Sequence, residues 1–318
     1  MGLVKLKGDE SNLAERALAE FLEQGQRIIV GKEEQLRLAF CCLLARGHLL
    51  IEDIPGVGKT TMVKFLASSL GLKANRIQFT NDLLPGDIIG SSVFEREKAR
   101  FEFHPGPLFS EIVVADELNR ATPKTQSACL QAMEERQITV DGVTHHLPEP
   151  FFVIATQNPQ NQMGTYPLPE SQLDRFLMSL HLGYPDSSAE KSLLRGEPRQ
   201  ELLTKVRPVL DIEQLAKVQN LVQTRVHASD AIVDYVHRLV VATRGREDCY
   251  GLSPRAGIAL MAAAKSMAIL AARTWVAPED VQAVFAAVAG HRLIASEGSP
   301  LQQGWRLSLE IMEKVKVD

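Results

Sequence analysis

The sequence contains few cysteines, no cysteine motif and no long apolar run, and each absence excludes a class of protein. The four cysteines have neither CxxC spacing nor neighbouring histidines, which argues against a disulfide scaffold or a zinc site and indicates reduced, buried thiols. Residues 1–21 lack the apolar core of about 7–15 residues that a secretory signal requires. The most apolar later stretch, residues 257–277, is interrupted by Lys265 and Arg273 and is unsuited to a bilayer. We therefore expect a cytoplasmic protein with no membrane span.

An excess of positive charge is also missing. The chain has 35 Lys plus Arg residues against 39 Asp plus Glu, and its net charge of -4 gives no general attraction to nucleic acid or anionic membranes. The sequence is rich in hydrophobic residues, which make up 45% of its 318 residues. At roughly 150 residues per domain this is enough for the cores of about two domains, so a mainly disordered chain is excluded.

Strand-like and helix-like segments alternate up to about residue 185, and only helical patterns follow. The predicted strands are residues 48–52, 76–80, 112–115, 151–156 and 178–182. Short strands separated by helices favour a parallel sheet that is covered on both faces. Two predicted hairpins interrupt this order, one in residues 91–103 and one around the Asp141-Gly142 turn. The pattern predicts an α/β domain with a parallel five-stranded sheet between helices, followed by an all-helical domain.

The strongest motif lies between the first predicted strand and the helix that follows it. It reads Asp53-Ile54-Pro55-Gly56-Val57-Gly58-Lys59-Thr60-Thr61. Glycines let main-chain amides face an anion, and the next helix offers its positive N-terminal end. In such a loop Lys59 reaches the β- and γ-phosphates of a nucleotide and Thr60 can bind Mg²⁺. The strict pattern has glycine where Asp53 stands, so the entry to the loop departs from it.

Two further predicted strands end in polar side chains that suit nucleotide hydrolysis. The strand at residues 112–115 runs into Asp116, which fits a magnesium shell, and Glu117, which can orient and deprotonate a water. The strand at residues 151–156 is followed by Asn158, whose amide is suited to positioning that water. The plainer alternatives are a strand end with a solvated turn for the carboxylates, and an Asn-Pro turn for the amide.

Taken in order, these motifs resemble those of the MoxR family of AAA+ ATPases, over residues 30–293. The matching segments are Gly31-Lys32-Glu33-Glu34, residues 52–60, residues 83–90, residues 115–121 with 123–126, Ala155-Thr156-Gln157-Asn158-Pro159, residues 164–170 and residues 172–176. The resemblance implies an N-terminal helical lead-in at residues 1–29, a large nucleotide-binding domain at residues 30–184 and a helical lid at residues 185–318. It also implies that the two hairpins are insertions typical of this branch.

The resemblance also implies a role for each site residue. The nucleotide-binding positions are Gly31, Pro55, Gly56, Val57, Gly58, Lys59, Thr60 and Thr61, with ATP and Mg²⁺ as cofactors. Thr60 and Asp116 hold the metal, Glu117 is the general base and Asn158 corresponds to sensor 1. Arg175 matches the arginine finger that reaches the neighbouring subunit's γ-phosphate, with Arg120 as its rival, and Arg255 matches sensor 2. An always-charged, planar guanidinium suits such a role. Taken alone, Arg175 would more often be a surface ion-pair partner of Asp174, and Arg255 a solvated residue at a helix start.

The function implied by the resemblance is ATP hydrolysis in a homo-oligomeric ring, expected to be a hexamer. Such a ring has a chaperone-like role in maturing or activating a protein client, often by helping to insert a metal or organic cofactor, together with a von Willebrand factor A domain partner. The hairpin at residues 93–103 is the element expected to face the client or the partner. The alternatives are an AAA+ nucleic-acid motor, which the charge balance disfavours, and a nucleotide-gated scaffold with little turnover. A small-molecule kinase is weaker still, because no acceptor pocket is evident.

Overall fold

The computed structural model describes residues 8–54, 56–158, 164–196, 199–293 and 301–317, and Pro55 lies outside the described residues. The strands are β1 (Leu49–Glu52), β2 (Ala74–Gln78), β3 (Gly90–Glu95), β4 (Arg100–Pro105), β5 (Ile112–Asp116), β6 (Gln137–Val140), β7 (Val143–His146), β8 (Phe152–Gln157) and β9 (Met178–Leu180). The order β2-β5-β8-β1-β9 forms one sheet, in which all neighbouring strands are parallel. This sheet confirms the predicted α/β fold.

Helices cover the sheet and continue beyond it. They are α1 (Gly8–Ile28), α2 (Glu33–Leu44), α3 (Lys59–Ser69), α4 (Pro85–Ile89), α5 (Pro123–Glu135), α6 (Glu170–Leu173), α7 (Ser187–Arg195), α8 (Arg199–Thr204), α9 (Ile212–Thr224), α10 (Asp230–Ala242), α11 (Pro254–Leu270), α12 (Pro278–Ala289) and α13 (Leu301–Lys314). Helices α4, α6 and α8 were not expected, because four to six residues are too few to show a helical period. Helix α13 was also not expected. No helix among the described residues combines the length and hydropathy needed to cross a membrane.

Alternate side chains of the central strands enter two different cores, because successive residues of a strand point to opposite faces. Leu49 and Ile51 of β1 join the core formed with α1, α2, α3 and the helices that follow residue 211. Leu50 joins the core on the other face, where α5 packs. The N-terminal helices and the C-terminal helices therefore share one core, while the division of the chain at residues 29/30 and 184/185 stays a prediction.

The parallel arrangement gives the sheet two distinct edges. The carboxyl edge is where β1, β2, β5 and β8 end, and the amino edge is where the strands begin. Polar residues at the ends of different strands are thus brought together at the carboxyl edge, while the segment that precedes β9 lies at the amino edge.

The two antiparallel hairpins, β3-β4 and β6-β7, stand apart from the sheet. In the second hairpin Asp141 and Gly142 both have positive φ, +51° and +78°. Positive φ at both central residues is the geometry that an Asp-Gly hairpin turn requires. A stacked contact joins the hairpins, with 4.0 Å between the ring centroids of Phe103 and His145.

Candidate active site

The loop between β1 and α3 has the backbone of an anion-binding loop. Gly56 and Gly58 have φ of +89° and +95°, and a side-chain carbon added at either position would meet no atom within 4 Å. Glycine is therefore required by the backbone conformation rather than by crowding. Helix α3 begins at Lys59, so its unpaired amides and the positive end of its dipole face the same open space.

Lys59 reaches from this loop to the end of β8. Its Nζ donates to Asn158 Oδ1 at 2.8 Å, to the Gln157 carbonyl at 3.1 Å and to the Asp53 carbonyl. Burial lowers the pKa of Lys59, while the negative charges of Asp53 and Asp116 act in the opposite direction. The lysine is thus held among acceptors at the carboxyl edge of the sheet.

The end of β5 is fixed by a single hydroxyl from β8. The Thr156 hydroxyl donates to Asp116 Oδ1 at 2.5 Å and accepts the Glu117 N–H at 2.9 Å. Glu117 has a positive φ of +55°, which is uncommon for a residue with a side chain. Strained backbones of this kind persist only where the surroundings hold them, and they concentrate at functional sites.

Asn158 connects the lysine with the glutamate. Its Nδ2 donates to Glu117 Oε1 at 3.0 Å, while its Oδ1 accepts from Lys59. The other carboxylate oxygen of Glu117 accepts from Gln78 and Arg120, each at 2.9 Å. The structure therefore brings Lys59, Glu117 and Asn158, with Asp116 beside them, into one hydrogen-bonded cluster, although these residues come from three separate motifs.

Besides Thr156, three residues of this cluster were missed by the sequence analysis. Arg76 pairs with Asp116 Oδ2 at 2.5 Å, Gln78 binds Glu117, and the Nδ2 of Asn119 donates to the Asn158 carbonyl at 3.0 Å. Arg76 and Gln78 alternate along β2, so both side chains point to the same face next to β5. For Arg76 and Gln78, polar residues at alternate positions of a predicted strand were the available signal.

The residues present fit a magnesium nucleotide. Thr60 is exposed at the start of α3, and Asp116 is buried at the end of β5. Within the described part of the chain, no group of three or more His, Cys, Asp or Glu side chains could hold a metal ion by itself. Mg²⁺ is commonly bound by one or two protein oxygens together with substrate phosphates and water. Thr60 and Asp116 can supply those protein oxygens.

A cleft of about 460 Å³ continues from the loop towards the segment after β9. It is lined by Ile28, Ile29, Val30, Lys32, Gly56, Val57, Gly58, Thr61, Tyr184, Pro185, Glu190, Leu193 and Leu194. Gly31 was expected among the cofactor-binding residues. It lies beside the cleft rather than in its lining, where an added side-chain carbon would come within 3.2 Å of Ala189 Cβ.

The two arginines that the resemblance matches to the arginine finger and to sensor 2 are not part of this cluster. Arg175 precedes β9 at the amino edge, and its Nη2 pairs with Glu134 Oε2 at 2.9 Å. Arg255, at the start of α11, pairs with the other oxygen of Glu134 at 3.1 Å. The two guanidinium groups therefore lie together at the end of α5, on the opposite edge of the sheet from Lys59.

A buried arginine anchors the segment that carries Arg175. Arg292, whose side chain is 6% exposed, pairs with Asp174 Oδ1 at 2.6 Å and donates to the Phe176 carbonyl at 2.7 Å. Asp174 also lies 3.4 Å from the hydroxyl of Ser253, which caps the helix of Arg255. The C-terminal helices and the segment of Arg175 are thus connected through one carboxylate.

Comparisons with known proteins agree with this arrangement. Residues 48–178 match the family described as "ATPase family associated with various cellular activities (AAA)", and residues 249–314 match the "AAA lid domain". The chain is 45% identical to YeaC of Bacillus subtilis, an uncharacterized protein, over 94% of each chain. It is 38% identical to the chaperone MoxR1 of Mycobacterium tuberculosis, over 90% of this chain and 76% of that one. A crystal structure of a protein from Cytophaga hutchinsonii assigned as an ATPase superposes with a TM-score of 0.83 at 35% identity, covering 98% of this chain and 97% of that chain.

Proposed function

The chain belongs to the MoxR family of AAA+ ATPases, and from this premise we propose that it hydrolyses ATP as a ring of identical subunits, expected to be a hexamer. As a member of this family it is an ATPase of the chaperone-like kind. The ring, the individual residue roles and the nature of the client go beyond the family and are argued separately below.

The proposal of a ring is supported by the distance, within one subunit, between the cluster around Glu117 and the pair Arg175 and Arg255. Helix α5 starts two residues after Ala121, near Glu117, and ends beside Arg175 and Arg255. Its 13 residues span about 20 Å at 1.5 Å per residue, which an arginine side chain cannot bridge. Arg175 and Arg255 therefore suit a nucleotide held by the next subunit. Arg120 is bound to Glu117 of its own subunit, which supports Arg175 as the arginine finger.

At the carboxyl edge, the chemistry divides among the clustered side chains. Lys59, Thr60 and the glycine amides would hold the phosphates, and Thr60 and Asp116 would hold Mg²⁺, which would supply charge neutralisation for the transferred phosphoryl group. Glu117 accepts a proton from the attacking water, and Asn158 orients that carboxylate while bound to Lys59. Thr156 and Asn119 keep the ends of β5 and β8 in register for this purpose.

We propose a protein complex as the client, matured or activated with the help of a von Willebrand factor A domain partner, including by metal or cofactor insertion. The hairpin β3-β4 supports a protein client. It exposes the cross-strand pair Phe94 and Phe101, which are 50% and 71% exposed. Lys98 and Arg100 on the same hairpin are both paired with Glu102. Residues 95–102 carry three carboxylates and three cationic side chains, so the surface is apolar with balanced charge rather than basic.

Mixing two inactive variants tests the ring directly. Arg175→Ala removes the finger and Glu117→Gln removes the base, so each variant alone should lose turnover, by about 10³-fold or more for the arginine. In mixed rings, an intact Glu117 site meets an intact Arg175 from its neighbour, and part of the activity returns.

Arg246→Ala serves as the control, because Arg246 pairs with Asp248 on a loop between α10 and α11. This variant should leave turnover unchanged. Absence of recovery in the mixture, or full activity of Arg175→Ala, would contradict the shared site.

A further inference from the structure

Asp53 stands where the strict phosphate-loop pattern has glycine, and both of its carboxylate oxygens accept hydrogen bonds. The residue is 6% exposed. Its Oδ1 accepts the Ile54 N–H at 2.8 Å, and its Oδ2 accepts the N–H groups of Leu182 and Gly183 at 2.7 and 2.6 Å. Hydrogen bonds to an ionised acceptor are the stronger kind, and three of them converge on this one side chain.

These three amides belong to two different walls of the site. Ile54 opens the glycine loop, whereas Leu182 and Gly183 follow β9 and lead into Tyr184 and Pro185. We call residues 182–185 the hinge wall. A glycine at position 53 has no side chain and would leave the loop and the hinge wall without this connection.

The cleft lies between the parts that Asp53 joins. Gly56 and Val57 line it from the loop side, and Tyr184 and Pro185 line it from the hinge wall. Lys32 holds the hinge wall from the other side, with its Nζ 3.0 Å from the Tyr184 carbonyl. The width of the cleft therefore depends on how firmly the hinge wall is fixed to the loop.

The phosphate end of the site is held differently. Lys59 donates to the main-chain carbonyl of residue 53, a group that every substitution keeps, and to Gln157 and Asn158 on β8. The positive φ angles of Gly56 and Gly58 are permitted because glycine has no side chain. The contacts to a triphosphate are therefore separable from the contacts to a base.

We propose that Asp53 is a positioning residue for recognition of the nucleotide base, fixing the hinge wall against the loop so that the cleft holds the base of ATP. The inference rests on the proposed nucleotide site and names the part of it that selects the base. It also explains why this chain uses an aspartate where the strict pattern does not.

Restoring the strict pattern with Asp53→Gly should consequently weaken the site. Loss of charge-assisted hydrogen bonds to the hinge wall should reduce ATP affinity by about tenfold or more, measured by equilibrium titration with Mg-ATP. Affinity for inorganic Mg-tripolyphosphate, which has no base, should stay within about twofold of the unsubstituted protein, because Lys59 and the glycine amides are unchanged. Asp53→Asn retains one carbonyl acceptor for the hinge wall. Its affinity for ATP should therefore lie between those of the unsubstituted protein and Asp53→Gly.

Asp280→Asn is the matched control, because Asp280 is also a buried carboxylate that accepts a main-chain N–H, from Ala277 at 2.8 Å, but lies in the C-terminal helices. It should lower the melting temperature without changing either affinity. Equal losses of ATP and tripolyphosphate affinity in both Asp53 variants, or no loss in either, would overturn the proposal. Unchanged binding of both probes by Lys59→Ala would instead show that the nucleotide site itself is misplaced.

Discussion

At the scale of single residues, the site depends on side chains that satisfy two neighbours at once. The amide of Asn158 accepts from Lys59 and donates to Glu117, and the hydroxyl of Thr156 donates to Asp116 and accepts from Glu117. A side chain that both donates and accepts fixes the positions of its two partners relative to each other. Small changes here therefore alter catalytic geometry rather than overall stability.

Glu117→Gln should separate binding from turnover. Glutamine keeps an acceptor for Asn158 but cannot take a proton from water, so turnover should fall by about 10²- to 10⁴-fold while Mg-ATP binding is retained. Steady-state phosphate release and equilibrium nucleotide binding measure the two effects. Glu135→Gln, an exposed position on α5, is the control. Hydrolysis at the unsubstituted rate would exclude Glu117 as the base.

His48 should make the protein acid-sensitive. It is buried, accepts the Val153 N–H at Nδ1 (3.0 Å), and its Nε2 lies 3.2 Å from the Met133 carbonyl, to which it donates. Burial lowers the pKa of His48 to about 4, below its ordinary 6.5, so the unfolded chain binds the proton more readily. The contribution of neutral His48 to the free energy of unfolding is complete above pH 6.5. It falls as the pH drops towards 4, by about 1 to 2 kcal/mol at pH 5.

Urea unfolding of the unsubstituted protein and of His48→Gln at pH 7.5 and pH 5 measures this contribution. His48→Gln should show a smaller loss of unfolding free energy between the two pH values, because glutamine does not titrate. His237→Gln, at an exposed position, should behave like the unsubstituted protein. An identical pH dependence in the His48 variant would refute the assignment.

At the scale of elements, helix α5 connects the two edges of the sheet, and the two hairpins project from it. The helix places Glu134 at the amino edge, where it holds Arg175 and Arg255 together. The hairpin β3-β4 contributes no residue to either core, whereas Ile138 of β6 joins the core where α5 packs. A two-stranded hairpin is only marginally stable alone. Their stacked contact, Phe103 on His145, gives each hairpin support from the other.

Replacing the exposed aromatic pair of the first hairpin should affect client binding alone. Phe94 and Phe101 face each other across the strands with ring centroids 5.3 Å apart. Burying two such rings against a client is worth more than a tenfold change in affinity at roughly 1.5 to 3 kcal/mol each. Phe94→Ser with Phe101→Ser should therefore lose binding of a carboxymethylated, unfolded test protein in the presence of ATP, while basal ATP hydrolysis stays unchanged.

Val143→Ser, at an exposed apolar position on the second hairpin, is the matched control for that experiment. It should keep both the binding and the hydrolysis. Unaltered binding by the double phenylalanine variant would assign the client surface to another element.

At the scale of the whole molecule, the residues of the proposed shared site fall into two groups, which we call half-sites, at opposite edges of the sheet within one subunit. The clustered Lys59, Glu117 and Asn158 occupy the carboxyl edge, and Arg175 with Arg255 occupies the amino edge. Arg292 and Asp174 connect the second half-site to the C-terminal helices. Movement of these helices would shift Arg175 and Arg255 together, which gives a ring a direct route from one site to the next.

ATP turnover per subunit should accordingly rise with protein concentration and level off once assembly is complete. The reason is that the site, as proposed, needs Arg175 from a neighbouring subunit to be complete. Turnover measured across a dilution series, with mass determined in parallel, checks this expectation. Constant turnover together with a monomeric mass would mean that the two half-sites do not combine.

The sequence alone determined the parallel α/β fold, the glycine loop and the polar ends of β5 and β8. These features depend on local patterns: alternation along a strand, glycine before a helix, and Asp-Gly in a hairpin. For the same reason the sequence did not predict short α4, α6 and α8, whose few residues carry no period.

Only the tertiary structure decided which distant residues share a partner. Glu134 binds Arg175 and Arg255, the latter 121 positions away, and Asp53 binds Leu182 and Gly183, 129 and 130 positions away. Such pairs depend on strand order and on how the C-terminal helices dock, which result from many weak contacts summed over two cores. No local pattern encodes that sum, so the sequence names the chemical groups while the fold decides which of them act together.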